Sequence, residues 1–153
     1  MTSIDYLDTP VGVIEIQASE HGICQVNFVE SKQQRVRPSE LTVPCKEQLR
    51  EYFFEGRTLF DLVLDQQGTD FQMSIWNSLL AIPYGQSASY KNIADAVNNP
   101  KAVRAVGAAN GRNPISIIVP CHRVIGSNGS LTGYAGGLDR KKWLLTHEGI
   151  PFH

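Results

Sequence analysis

From Val11 to Ala18 and from Ile23 to Val29 apolar and polar residues partly alternate, the period of a half-buried strand. Ser19-Glu20-His21-Gly22 between them reads as a hairpin turn. Residues 30–40 are polar and predict a loop. Over 42–55 the residues Leu49, Tyr52 and Phe53 recur at helical spacing, and Gly56 supplies a stop. Thr58 to Leu64 offers one more short strand. Gly68-Thr69 then marks a boundary, with Asp70 as the cap of a new helix. The chain is therefore expected to divide into 1–68 and 69–153.

The second half changes period. Phe71, Ile75, Leu79 and Ile82 form one helical stripe that ends at Pro83-Tyr84-Gly85. Ser89 caps a second helix, on which Tyr90, Ile93, Ala94 and Val97 share a buried face. Asn99-Pro100 offers an N-cap and first-turn proline to a third, with Val103, Val106 and Asn110 on one side. Lys101, Arg104, Ala108 and Gly111 lie on the other, and Ala102 opens the same segment. Two short helices with a tight connection suggest a helix-turn-helix, although a helical hairpin that binds nothing shares the pattern. Small residues on the outer face favour close approach to a duplex backbone.

The apolar run Ile115-Ser116-Ile117-Ile118-Val119 reads as a buried strand ending in Pro120-Cys121-His122-Arg123. Asn128-Gly129 is a hairpin-type turn, and Tyr134-Ala135-Gly136-Gly137 a flexible loop with exposed amides. Asp139 caps a last helix carrying Trp143, Leu144 and His147, stopped by Gly149.

Composition narrows the class. The chain has 153 residues and no stretch near the roughly 20 apolar residues of a membrane span. The first residues lack a basic region followed by an apolar run, so a cytoplasmic protein is expected. Cys24, Cys45 and Cys121 are an odd set without metal-site spacing, which argues against a disulfide scaffold. Net charge is −1, but residues 1–68 carry six Lys/Arg against eleven Asp/Glu, and 69–153 carry eight against four. That asymmetry points the C-terminal half towards a polyanion, while two small sums differing by chance would look the same.

A Cys beside a His and an Arg is chemically suggestive, because the thiolate is the nucleophile and nearby positive charge or a basic imidazole eases its formation. Locally, an inert core thiol fits as well. Glu148 lies in a last helical turn, where the dipole disfavours a carboxylate by about 0.3–1 kcal/mol. The placement asks for a cationic or hydrogen-bonding partner.

Asn113-Pro114, then Ile118-Val119-Pro120-Cys121-His122-Arg123-Val124-Ile125, Gly133-Tyr134-Ala135-Gly136-Gly137, Lys141-Lys142-Trp143-Leu144-Leu145 and His147-Glu148-Gly149 closely resemble the O6-alkylguanine-DNA alkyltransferases. The resemblance covers essentially all of 69–153, in order and spacing, and more weakly Asp8-Thr9-Pro10-Val11-Gly12. It implies an α+β protein: a ribonuclease-H-like α/β domain packed on a helical domain with a helix-turn-helix of winged-helix type. It implies a single-turnover transfer of an alkyl group from O6-alkylguanine in duplex DNA, with O4-alkylthymine a further candidate, onto Cys121. His122 would be the general base, acting through a water and oriented by Glu148, and Asn113 would hold the turns of the site. Tyr90 would touch the flipped base and donate a proton to the leaving guanine. The backbone of Cys121, Val124 and Ala135 would meet the base edges, with Tyr134 and Gly136 in the pocket wall and Lys141 nearby. Some members carry Ser at the position of Ala135, so a hydroxyl contact is lost here.

Arg104 would fill the space of the extruded base, or serve as an ordinary phosphate contact. Ala102, Ala108 and Gly111 would sit at the minor groove. No cofactor or metal is implied; Cys24 and His21 alone do not reproduce the zinc ligands of some relatives. A monomer without an obligate protein partner and without membrane attachment is expected. Two other readings remain, a non-catalytic relative that flags alkylated DNA and a helix-turn-helix regulator sensing a ligand. The first replaces the nucleophile, whereas Cys121 is present. The second needs a further ligand-binding constellation, and the sequence offers none.

Overall fold

A computed structural model of the chain describes residues 2–153, which form two compact units, one ending at Gln67 and one beginning at Gly68. The first is a three-stranded antiparallel sheet, β1 (Ser3–Thr9), β2 (Gly12–Ala18) and β3 (Ile23–Val29), with β2 central. One helix, α1 (Thr42–Phe54), packs on β1 and β2. Ile14 and Ile16 of β2 and Leu49 of α1 are wholly buried, each worth roughly 1.5–3 kcal/mol relative to exposure.

Strand β1 is not evident from periodicity, because Asp5 and Tyr6 interrupt the apolar alternation. Their polar atoms are satisfied: Lys46 on α1 donates to Asp5 at 3.3 Å, and the Tyr6 hydroxyl donates to Glu15 at 2.9 Å. The segment 58–64 is not a strand. It pairs with the sheet at a bridge between Ile23 and Leu64. Gly22 permits that approach, since a Cβ there would lie 2.8 Å from the Val63 carbonyl oxygen.

The second unit comprises α2 (Asp70–Leu79), β4 (Ala88–Ser89), α3 (Tyr90–Ala96), α4 (Val103–Gly111), β5 (Val124–Ile125) and α5 (Leu138–His147). Thr69, rather than Asp70, caps α2, in a reciprocal capping box with Gln72. The helix ends before Ile82. Ser89 caps α3 in a second box, with Asn92. Helices α3 and α4 pack together across the turn 97–102, as in a helix-turn-helix. Asn99-Pro100 does not open α4; the helix begins at Val103, with Ala102 as its N-cap. The buried indole of Trp76 donates to the Ala109 carbonyl at 2.9 Å and fixes α2 against α4.

The largest departure from the sequence pattern is 115–119. The run is buried but turns instead of extending, and Ile117 adopts φ 73°. Such a left-handed conformation costs a β-branched residue about 1–3 kcal/mol. Asn113 stands in for a strand partner: its amide donates to the carbonyls of Ile115 at 3.2 Å and Val119 at 2.8 Å, and accepts from the Ile115 N–H at 3.0 Å. Strand β5 instead pairs in parallel with β4, Ala88 with Val124 and Ser89 with Ile125. The last helix starts after Gly137, at φ 94°, a conformation suited to glycine; Asp139 lies in the first turn.

Candidate active site

Cys121 opens a single 3-10 turn, Cys121–Arg123, immediately after the 115–119 turns. The turn aims three side chains inward, and Cys121, His122 and Arg123 are all buried. Burial pushes the Cys121 thiol up from its ordinary value, opposed in part by a hydrogen bond from Asn113 and by the charge of Lys141. Adjacent positive charge therefore does not by itself make a resting thiolate. The thiol needs an acceptor for its proton.

His122, the next residue, is the candidate for that acceptor. Its Nε2 lies 2.6 Å from a carboxylate oxygen of Glu148, with neither side chain exposed. Burial holds the imidazole below its ordinary value, with the Glu148 contact opposing. A neutral ring beside a carboxylate carries its proton on Nε2, which leaves Nδ1 as an acceptor. That Nδ1 is buried and has no hydrogen-bond partner among the described residues.

Glu148, the C-cap of α5, has a second partner in Arg123. Arg123 Nε donates to the other Glu148 oxygen at 2.6 Å, and another of its nitrogens donates to the Ile82 carbonyl at 2.7 Å. The guanidinium also lies 5.7 Å from the centre of the Tyr84 ring. The misplaced charge at the helix end is thus held by a cation and an imidazole together.

Lys141, wholly buried on α5, donates to the Val124 carbonyl at 2.7 Å, and burial lowers its ammonium to about 8. The Val124 N–H donates in turn to the Cys121 carbonyl, which also receives the Asn110 amide at 3.3 Å. A base edge reaching Val124 would share groups already engaged. Asn110 was read only as a helix-face residue; its link from α4 to the cysteine turn has no signature in sequence.

A cavity of about 510 Å³ is lined by Tyr90, Val103, Gly107, Gly111, Thr132, Gly133, Tyr134 and Ala135. It brings together Tyr90, Tyr134, Ala135 and Gly111 of the expected set. Tyr90 is half-buried at the start of α3, not on a fully buried stripe, and its hydroxyl bonds that of Thr132. Burial raises the Tyr134 hydroxyl well above its ordinary value, and Cys121 adds to this. Val103 is 39% exposed and faces the cavity, so it does not share the inner face of Val106 and Asn110. Arg104 and Ala108 are exposed on α4, Ala102 sits at its N-cap, and Gly136 is half-buried in the loop before α5.

The fold and site define a unit with a helix-turn-helix that holds the buried Cys121 thiol next to a His122–Glu148 pair. The 6-O-methylguanine DNA methyltransferase, DNA binding domain model matches residues 70–150, and the ribonuclease-like domain of the same family matches 4–66. The chain belongs to this family. A methylated-DNA–protein-cysteine methyltransferase of Methanosarcina acetivorans is 49% identical over 148 residues, 93% of this chain and 95% of the relative. The crystal structure of Mycobacterium tuberculosis O6-methylguanine methyltransferase superposes with a TM-score of 0.88 at 42% identity, covering 97% of this chain and 93% of that one. The Mycobacterium tuberculosis OGT structure in complex with DNA gives 0.85 at 44% identity, covering 95% and 93%. No helix among the described residues is long and apolar enough to cross a membrane.

Proposed function

We propose that this chain repairs DNA by taking the alkyl group of a flipped O6-alkylguanine onto Cys121, once per molecule. The observation that carries the reading is the acceptor Nδ1 of His122, left unpaired beside Cys121 while Nε2 is committed to Glu148. The Cys121 proton passes through a water to His122, and sulfur attacks the alkyl carbon. The S–C bond forms as the C–O6 bond breaks, and the electron pair leaves with guanine. Tyr90 donates a proton to the departing base and is reprotonated from water, to which His122 returns the proton it received. The products are an S-alkylcysteine and guanine. A thioether has no easy reverse path, so one event ends activity.

Arg104, exposed on α4, occupies the space of the extruded base, since a buried thiol does not reach into a stacked duplex. Tyr134, Ala135 and Gly136 wall the base, and Ala102, Ala108 and Gly111 let α4 approach the backbone. The catalytic groups all lie in one chain, so a monomer suffices, and three free cysteines suit a reducing compartment.

Duplex DNA carrying radiolabelled O6-methylguanine tests the reading. One label per protein is expected, on the peptide containing Cys121, with Cys121→Ala unlabelled yet still binding unmodified duplex. Label on Cys24 or Cys45 would overturn it.

A further inference from the structure

The Tyr90–Thr132 hydrogen bond joins two elements that are separate in sequence, the start of α3 and the segment between β5 and α5. Both residues line the cavity beside Tyr134 and Ala135. The Tyr90 ring is flanked on another side by Gly107, where an added Cβ would lie 3.8 Å from it. Each hydroxyl offers one proton and two lone pairs. If Tyr90 donated to Thr132, the phenol proton would be engaged just where a leaving guanine needs it. The opposite direction leaves that proton free. A guanine ring nitrogen that accepts from Tyr90 fixes the order as Thr132 to Tyr90 to guanine.

We propose that Thr132 is a positioning residue for alkyl transfer: its hydroxyl donates to the Tyr90 oxygen and so aims the phenol proton into the cavity. The inference rests on the proton-donor role given above to Tyr90. As the phenol proton moves to the departing base, negative charge builds on the Tyr90 oxygen, and the Thr132 donor faces it. Thr132 is itself exposed, so the pair also connects the phenol to water for reprotonation. No bond other than the O–H bonds of the chain changes at Thr132.

The test is a set of four variants assayed on methylated duplex: Thr132→Val, which keeps shape without the hydroxyl, Thr132→Ser, which keeps the donor, Tyr90→Phe, and the Tyr90→Phe/Thr132→Val double. Thr132→Val is expected to transfer about five-fold more slowly, the worth of one ordinary hydrogen bond. Thr132→Ser should restore most of the rate, and affinity of Thr132→Val for unmodified duplex should hold. In the Tyr90→Phe background, Thr132→Val should add no further loss. A wild-type rate in Thr132→Val, equal losses in the Val and Ser variants, or independent effects of Tyr90→Phe and Thr132→Val would each overturn the role of Thr132 alone. A wild-type protein that leaves Cys121 unlabelled would overturn alkyl transfer itself, and this inference with it.

Discussion

The carboxylate of Glu148 is divided between two residues that are neighbours in sequence, one oxygen 2.6 Å from His122 Nε2 and the other 2.6 Å from Arg123 Nε. One side chain therefore orients the His122 ring and neutralises a buried cation. Glu148→Gln should damage both roles. Leaving Arg123 uncompensated in the interior costs about 3–5 kcal/mol, and a neutral amide no longer imposes the Nε2-protonated ring. Urea melts should show the destabilisation, and transfer should slow at the same time. A slowed protein of unchanged stability would mean that Arg123 finds another counter-charge.

The pH behaviour follows from shifts of opposite sign. An unfolded His122 takes up a proton near 6.5, whereas the folded ring resists until lower pH. Below that value the unfolded chain binds more protons, so stability falls as pH drops. At the other end, unfolded Cys121 ionises near 9.0 while the folded thiol stays protonated. There the unfolded chain binds fewer protons, and stability falls as pH rises. Lys141, lowered from 10.5 to about 8, acts with the opposite sign to Cys121 above that pH, so equilibrium denaturation should give a plateau between about 6.5 and about 8. Transfer should stay flat from neutrality down past the ordinary histidine range before it declines. A decline already centred at 6.5 would place His122 outside the proton path.

Arg104→Ala should slow repair of duplex DNA far more than reaction with free O6-benzylguanine. The free base needs no extrusion, so an exposed residue of α4 has nothing to do in that reaction. Parallel rate measurements on both substrates decide it. Equal losses would assign Arg104 to the cavity and not to the duplex.

Methylation of Cys121 should lower the melting midpoint. The residue is only 4% exposed, and over-packing a filled interior costs about 1–3 kcal/mol. For a chain of this size each kcal/mol corresponds to about 2–4 °C. Calorimetry of unreacted and stoichiometrically methylated protein should differ by several degrees, with the benzylated protein lower still. An unchanged midpoint would show spare room at the sulfur.

Much of the helical half is legible in sequence because its signals are local: Ser89 and Asn92 are three residues apart, and capping needs nothing else. The run 115–119 misleads for the complementary reason. Its apolar residues report burial, but whether a buried run extends depends on a partner. Here the partner is the Asn113 side chain rather than a strand. Strand β1 is hidden because Asp5 and Glu15 look solvent-facing until Lys46 and Tyr6 are seen beside them. In the site, Cys121, His122 and Glu148 stand out through a motif, whereas Arg123 reads there only as positive charge near the thiol and not as a partner of Glu148. Its one available clue was Glu148, a carboxylate at the wrong end of a helix with two oxygens to satisfy. Thr132 left no clue, since a threonine in a glycine-rich loop has no pattern that names its partner.

A reagent consumed by its own reaction has to survive storage. The same burial that makes the Cys121 proton hard to remove keeps the sulfur in its unreactive form while the protein waits. Cys45 is pushed up to about 12 by burial, and Cys24 is raised as well. Soluble electrophiles and oxidants thus meet a chain whose three thiols all resist ionisation. Shelf life and selectivity then have one origin: burial keeps the sulfur as a thiol.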